Sequence, residues 1–366
     1  MLTGSATIPA MMISNRDGLL VKASLAQSPD PIVEMVFDDS LPLILDADGI
    51  SGFSSRGPGP DGSIRPDVLA VGEDILTAAQ KSNKTGELYG PDGFTIRRGT
   101  SFSSPLVAGA YAVLKAGRPG LRMGQYRSLL VNTAQPFPAG TARPAAVQVG
   151  GAGRLDLSAA LSGQLAMDPV SISFGMGGQR VDAGRRIRIQ NVGTGVGTWK
   201  VAVDSGDELK AAVEPTEFSL DASGTIDLSI QFRGDAQPGE YQGFLLFQRV
   251  DAAEGERPQR VAYWYGVPTG VPATVRVVPA ALPTEAGGSE VELTALITDT
   301  IGGSTKDAPT VTVLEGSGAF IEATSEELTF PGYWTISLRM GAEPGQVNRF
   351  RVETGVAVRE ISIRSR

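Results

Sequence analysis

The sequence predicts an α/β segment over its first 165 residues, followed by two all-β sandwiches. Three observations carry that division. Near residue 100 a Gly-Thr turn runs into small residues at helical spacing, Ala108, Gly109, Ala112 and Ala116, with Val107, Tyr111 and Leu114 between them. Beyond residue 165 the pattern alternates, most clearly at Ile226-Asp227-Leu228-Ser229-Ile230-Gln231-Phe232, in strict period two. The 46 glycines and 24 prolines punctuate the chain into short elements, which suits turn-rich β structure.

Taken in order, residues 7–13 read as a short strand, Asn15 or Asp17 can cap a helix through Leu19, Leu20, Val21, Ala23 and Leu25, and residues 31–37 read as a second strand. Residues 38–52 lead into Phe53-Ser54-Ser55-Arg56-Gly57-Pro58, a strand end and turn. The apolar run Val68, Leu69, Ala70, Val71, then Ile75 and Leu76, predicts core strands around Gly72. Residues 82–93 read as a surface loop, with Asn83, Gly86, Gly90, Pro91 and Gly93. Thr95-Ile96-Arg97-Arg98 then enters the serine turn; both arginines could touch substrate or complement acidic residues, but a solvated face is the expectation.

Gly99-Thr100-Ser101-Phe102-Ser103-Ser104-Pro105-Leu106-Val107-Ala108-Gly109 is the stretch around which the rest is organised. It predicts a helix with Ser101 in its first turn. The small residues imply close packing on all sides, and Pro105 is expected where early N–H groups have no internal partner. A serine at a helix N-terminus commonly acts as an N-cap. It is equally placed to act as a nucleophile, because the positive end of the helix dipole favours an oxyanion. A second helix is expected over residues 124–134, with Tyr126, Leu129, Leu130 and Val131 on one face. Gly150-Gly151-Ala152-Gly153 is followed by Arg154-Leu155-Asp156-Leu157 and by residues 158–161.

In the β region, strands are expected at 170–174, 187–190, 199–203, 226–232 and 244–247, with one wet face per sheet. Residues 266–283 read as a linker and first strand of the second sandwich. Further strands follow at 291–295, 331–338 and 345–350, with a turn at Asp299-Thr300-Ile301-Gly302-Gly303.

Composition excludes several chemistries. A net charge of −8 argues against a nucleic-acid surface, and no run of about 18 apolar residues predicts a membrane span. With no Cys and no His, thiolate chemistry is excluded and zinc is disfavoured. Acidic loops at Asp38-Asp39 or Asp299 suit calcium only in general terms; no EF-hand spacing exists, so no cofactor and no metal site is assigned. The glycines at 150–153 lack the context of a phosphate loop.

The serine stretch resembles the serine motif of the subtilisin-like proteases. Phe53-Ser54-Ser55-Arg56-Gly57-Pro58 and Arg65-Pro66-Asp67-Val68-Leu69-Ala70 resemble the segments that lead into that motif. Val71 stands where the family usually has Pro, and Phe102 and Leu106 stand where many members have Met and a non-catalytic His. The resemblance implies that Ser101 is the catalytic nucleophile of a serine endopeptidase acting on protein or peptide. It also implies that residues 1–40 close a protease-associated insert, residues 41–165 form the C-terminal half of an α/β peptidase domain, and residues 166–268 and 269–366 form fibronectin-III- or Hydin-like and bacterial immunoglobulin-like sandwiches. The family's catalytic Asp and His and its oxyanion Asn have no counterpart: the chain has no His, and Asn15 and Asn83 sit in no matching context.

A serine hydroxyl without a general base is a poor nucleophile, so the chain alone is expected to be nearly inert. One expectation is therefore the serine-bearing part of a protease, completed by a missing N-terminal half. The other is an inactive remnant that binds through its sandwiches. The sedolisins, which pair Glu and Asp with the serine, fit less well because their acids also lie far upstream. Residues 1–6 show no basic or apolar leader region, so the chain is expected to begin inside a longer arrangement. An extracellular location follows only from the resemblance.

Overall fold

In a computed structural model of the chain, residues 22–23, 49–138, 145–278, 287–327 and 332–365 are described. The strand–helix–strand expected over residues 7–37 lies outside them, apart from helical Lys22 and Ala23. The chain divides into two compact units, residues 1–49 with 73–98, and residues 50–72 with 99–366.

In the first unit, β1 (Ile75–Ala78) pairs antiparallel with β2 (Phe94–Arg97). Leu76 stands opposite Ile96, and both are open to solvent, at 67% and 61% exposure. The intervening loop is held by Gln80, whose Nε2 donates to Asn83 O and whose Oε1 accepts from Asn83 N, both at 2.8 Å. Arg98 is exposed and Arg97 half-buried.

The second unit holds four helices among the described residues: α1 (Thr100–Gly117), α2 (Met123–Asn132), α3 (Val147–Gly150) and α4 (Leu157–Ser162). Ala110 and Leu114 pack against Tyr126, Leu129, Leu130 and Ala160. The apolar face expected on the second helix is therefore its buried face. α1 departs from expectation. Only Ala110 and Leu114 are buried on it, while Ala108, Gly109, Ala112 and Ala116 are exposed. The small residues suit close packing, but no described element of this unit covers their face. Of the core strands expected around Gly72, only Ile75 and Leu76 lie in a strand, the partly exposed β1. Residues 68–70 are half-buried and Val71 is exposed, with one isolated parallel bridge from Leu69 to Arg154. A single bridge supplies too few neighbours to form a sheet core. In place of a strand end, residues 52–54 make a turn, with Ser54 N donating to Ser51 O at 2.9 Å, and residues 55–58 have no regular secondary structure.

The described residues are mostly β-sheet. β3 (Leu165–Asp168), β5 (Arg180–Asn191), β9 (Thr225–Asp235) and β7 (Ala212–Glu214) form one sheet in that order. β4 (Ser171–Met176), β11 (Gln259–Val267), β10 (Gly239–Arg249), β6 (Gly197–Asp204) and β8 (Glu217–Leu220) form the other. The two sheets enclose a core that includes Ile187, Ile189, Leu228, Ile230, Phe232, Leu245, Phe247, Val261 and Tyr263. Leu228, Ile230 and Phe232 are buried between exposed Asp227, Ser229 and Gln231, as period two requires.

β11 breaks the expectation of one wet face per sheet. Every residue from Arg260 to Val267 is buried. Val261, Tyr263 and Tyr265 enter the sandwich core, whereas Ala262 and Trp264 cluster on the opposite side with Phe244, Ile64 and Val147. The physical reason is that the segment around α3 lies on the outer face of this sheet. Val147 N donates to Gln242 Oε1 at 2.7 Å, and Ser173 Oγ donates to Gly62 O at 2.6 Å.

Further along, β12 (Thr274–Val278), β13 (Glu290–Thr298), β16 (Tyr333–Arg339) and β15 (Phe320–Glu326) face β14 (Thr310–Glu315), β17 (Val347–Thr354) and β18 (Ala357–Arg364). Their core includes Leu293, Ala295, Ile297, Ile336, Leu338, Phe350 and Val352.

Candidate functional site: the serine turn

The turn that delivers Ser101 is built from two glycines. Gly99 caps α1 with φ 145°, a left-handed backbone conformation that favours glycine, and its N–H donates to Gly72 O at 2.8 Å. Phe102 N then donates to Gly99 O at 3.0 Å. Gly72 is required by closeness rather than by dihedral angle: a Cβ there would overlap Ser103 Oγ and come within 3.3 Å of Gly99 O. The backbone at Gly72 thus clamps the first turn of the helix.

Ser101 is the second helical residue and its side chain is exposed. At this position its N–H belongs to the set that has no partner inside the helix. No hydrogen bond among the described residues reaches its hydroxyl, and the first turn of α1 carries no acidic residue. Pro105 lies inside the helix, beyond the turn where its missing N–H would be harmless. In a regular helix residue 105 would donate to the carbonyl of residue 101, so the proline leaves Ser101 O without that donor. The reason given for Pro105 from sequence is corrected accordingly.

The base of the turn is anchored through α1 and α2. Tyr111 and Tyr126 meet edge to face at 5.3 Å, and Tyr126 OH donates to Arg118 O at 2.7 Å. Arg118 extends the link to the first sandwich, donating to Val192 O at 2.7 Å and to Gly163 O. Desolvation holds the Arg118 guanidinium below its ordinary pKa. At the other end of α2, Ser128 Oγ accepts from Met167 N at 2.7 Å and donates to Asn132 Oδ1 at 2.8 Å. Asn132 Nδ2 donates to Val170 O and Arg260 O. Sequence reasoning did not single out Ser128 and Asn132. Their signal was two polar residues at i, i+4 beside a buried stripe.

The glycines at 150–153 permit backbone approach. A Cβ on Gly151 would overlap Pro66 O, and one on Gly153 would overlap Gln135 O. Asp299 is buried and its oxygens are taken by protein donors: Ile301 N and Gly303 N on Oδ1, Thr269 N on Oδ2. Among the described residues no group of three acidic side chains is arranged to hold a metal. Asp38 and Asp39 lie outside those residues. No helix among the described residues is long and apolar enough to cross a membrane.

The sequence holds no imidazole and no hydrogen bond among the described residues reaches the Ser101 hydroxyl, so the turn as described lacks a general base. Residues 14–177 match the model of the subtilase family. Over that segment the chain is similar to the subtilases. The chain is similar to subtilisin-like protease SBT1.6 of Arabidopsis thaliana, 33% identical over 36% of this chain and 18% of the relative. It is also similar to minor extracellular protease Vpr of Bacillus subtilis, 29% identical over 46% and 20%. C5a peptidase of Streptococcus pyogenes is 37% identical over 30% of this chain and 8% of its own length. The matches therefore span about a fifth or less of these relatives. Among solved structures, the Pseudomonas aeruginosa CupB2 chaperone is similar at 10% identity and TM-score 0.23, covering 54% of this chain and 98% of that one.

Proposed function

We propose that this chain is the serine-bearing part of a subtilisin-like endopeptidase, with Ser101 as the nucleophile that attacks a peptide carbonyl. The observation that carries this reading is an exposed serine in the first turn of a helix, set by the Gly72–Gly99 clamp, within a stretch that matches the family. The catalytic Asp and His and the oxyanion Asn are supplied from outside these 366 residues. The exposed faces of α1 and of the β1–β2 ribbon each offer apolar surface to such a segment, through Leu106 and Val113 on the one and Leu76 and Ile96 on the other. Residues 1–40 close an inserted domain, 41–165 are the peptidase half, and 166–268 and 269–366 are accessory sandwiches. An extracellular setting is in keeping with the Bacillus subtilis relative, which is named as an extracellular protease.

A fluorophosphonate probe tests this. The chain alone should label at a background rate, because loss of triad members costs on the order of 10⁴- to 10⁶-fold. Adding the front half of a related subtilase should bring labelling that disappears in Ser101→Ala. Absence of labelling across a panel of such front halves would favour the second reading, a non-catalytic binding module, whose motive is the absent imidazole.

A further inference from the structure

A cavity of about 740 Å³ lies where the helical segment meets the first sandwich. Its walls include Thr133, Pro136, Ser162, Leu246 and Pro258, and Arg260 of β11 also lines it. Arg260 is the unusual member. It is only 6% exposed, and its Nε is buried with no hydrogen-bond partner. Among the described residues no ion pair and no hydrogen bond reaches its guanidinium. Its carbon sits 3.7 Å over the ring of Phe244, so one face is satisfied while the N–H bonds radiate from the edge.

Neighbouring charges do not fill that need. Asp156 pairs with Arg257, and Arg249 pairs with Asp251 at 2.6 Å. Glu256 accepts from Ala253 N at 3.2 Å, and it and Glu254 are exposed. Asp204 acts on Arg260 through its field alone. Burial draws the guanidinium down to about 10, Asp204 opposes that shift and Arg257 adds to it, so Arg260 remains cationic at neutral pH. A buried cation without a bonded partner is costly, and a guanidinium edge matches a carboxylate in paired hydrogen bonds.

We propose that this cavity is a binding site for a small organic carboxylate, its carboxylate on the edge of Arg260 and its apolar body against Pro136, Leu246 and Pro258. The volume falls within the range of small-molecule pockets. The site stands apart from the serine turn and does not depend on the protease reading.

Calorimetric titration of the full chain with benzoate, benzamide and inorganic phosphate at low salt tests this. Benzoate should bind saturably at one site, at least tenfold more tightly than neutral benzamide or phosphate. Arg260→Gln should weaken benzoate at least tenfold. Should Arg260→Gln fail to fold by circular dichroism, Ser162→Trp, which fills the cavity from its exposed rim, should give the same loss. Absence of saturable benzoate binding, equal binding of benzamide, preference for phosphate, or unchanged affinity in whichever variant folds would each overturn the proposal.

Discussion

Asn132 donates its side-chain amide to the main-chain carbonyl of Arg260, 2.7 Å away and 128 positions further along the chain. The same amide reaches Val170 O at 2.8 Å, and Ser128 Oγ holds its other end. One buried side chain thus ties the last turn of α2 to the segment entering β4 and to the start of β11. The subtilase segment and the first sandwich are consequently joined by hydrogen bonds as well as by apolar packing.

Asn132→Leu should expose how much that tie contributes. Two buried carbonyls lose their donor and Ser128 Oγ loses its acceptor. A cost of about 2–6 kcal/mol is expected from penalties of roughly 1–3 kcal/mol for each of the two carbonyls. Urea unfolding measures it; a change below about 0.5 kcal/mol, the size of an ordinary surface substitution, would contradict the role.

The Gly72–Ser103 approach predicts a coupled pair. Gly72→Ala places a methyl on Ser103 Oγ and should cost about 1–3 kcal/mol, as overpacking does. Ser103→Ala in the same chain should recover most of that loss, because only the 3.3 Å approach to Gly99 O then remains. A double-mutant cycle with no interaction energy would show that the clamp is not where the structure places it.

Trp264→Ala removes the largest side chain of the outer cluster and should cost about 3–5 kcal/mol. The regional readout is hydrogen exchange. Amides around α3, whose Val147 packs in that cluster, should lose more protection than those of β17, in the second sandwich. A uniform loss across both regions would refute a local role for the cluster.

Glu240 gives a pH-dependent prediction. Desolvation raises its carboxyl above the ordinary value, while the bond from Trp264 Nε1 at 3.3 Å pulls the other way. A carboxyl with a raised folded-state pKa penalises the fold when ionised. That penalty is full above the folded pKa and disappears as pH falls through it toward the unfolded value. Glu240→Gln keeps an acceptor for Trp264, so it should raise Tm modestly at pH 7 and leave it nearly unchanged near pH 3. Thermal melts at both pH values test this, and a gain that grows on acidification would have the wrong sign.

What was readable in the sequence was local. Period two over residues 226–232 places Leu228, Ile230 and Phe232 inside, because side chains on a strand alternate whatever lies nearby. The stripe of Tyr126, Leu129 and Leu130 sets the inner face of α2 for the same kind of reason. The Gly99-Thr100 turn was readable as well, since Gly99 adopts a φ that favours glycine, whereas the approach of Gly72 to Ser103 was not.

Other features required the fold. The run from Val261 to Val267 carries the apolar signal of a strand covered on both faces, but not the identity of Ile64 and Val147 as the cover. The exposure of Ala108, Gly109 and Ala112 also runs against their residue types, because burial depends on whether a neighbour is present. Arg260 reads in sequence as an ordinary charged residue of a strand; the helix-bearing segment packed over its sheet turns it into a buried cation facing a cavity. Periodicity, turn chemistry, a serine just after a Gly-Thr turn and the lack of any imidazole were all legible in the residues alone, because each is set within a few residues or by composition. Which faces are dry and which charges lose their water emerged with the fold, because both depend on contacts between residues far apart in the chain.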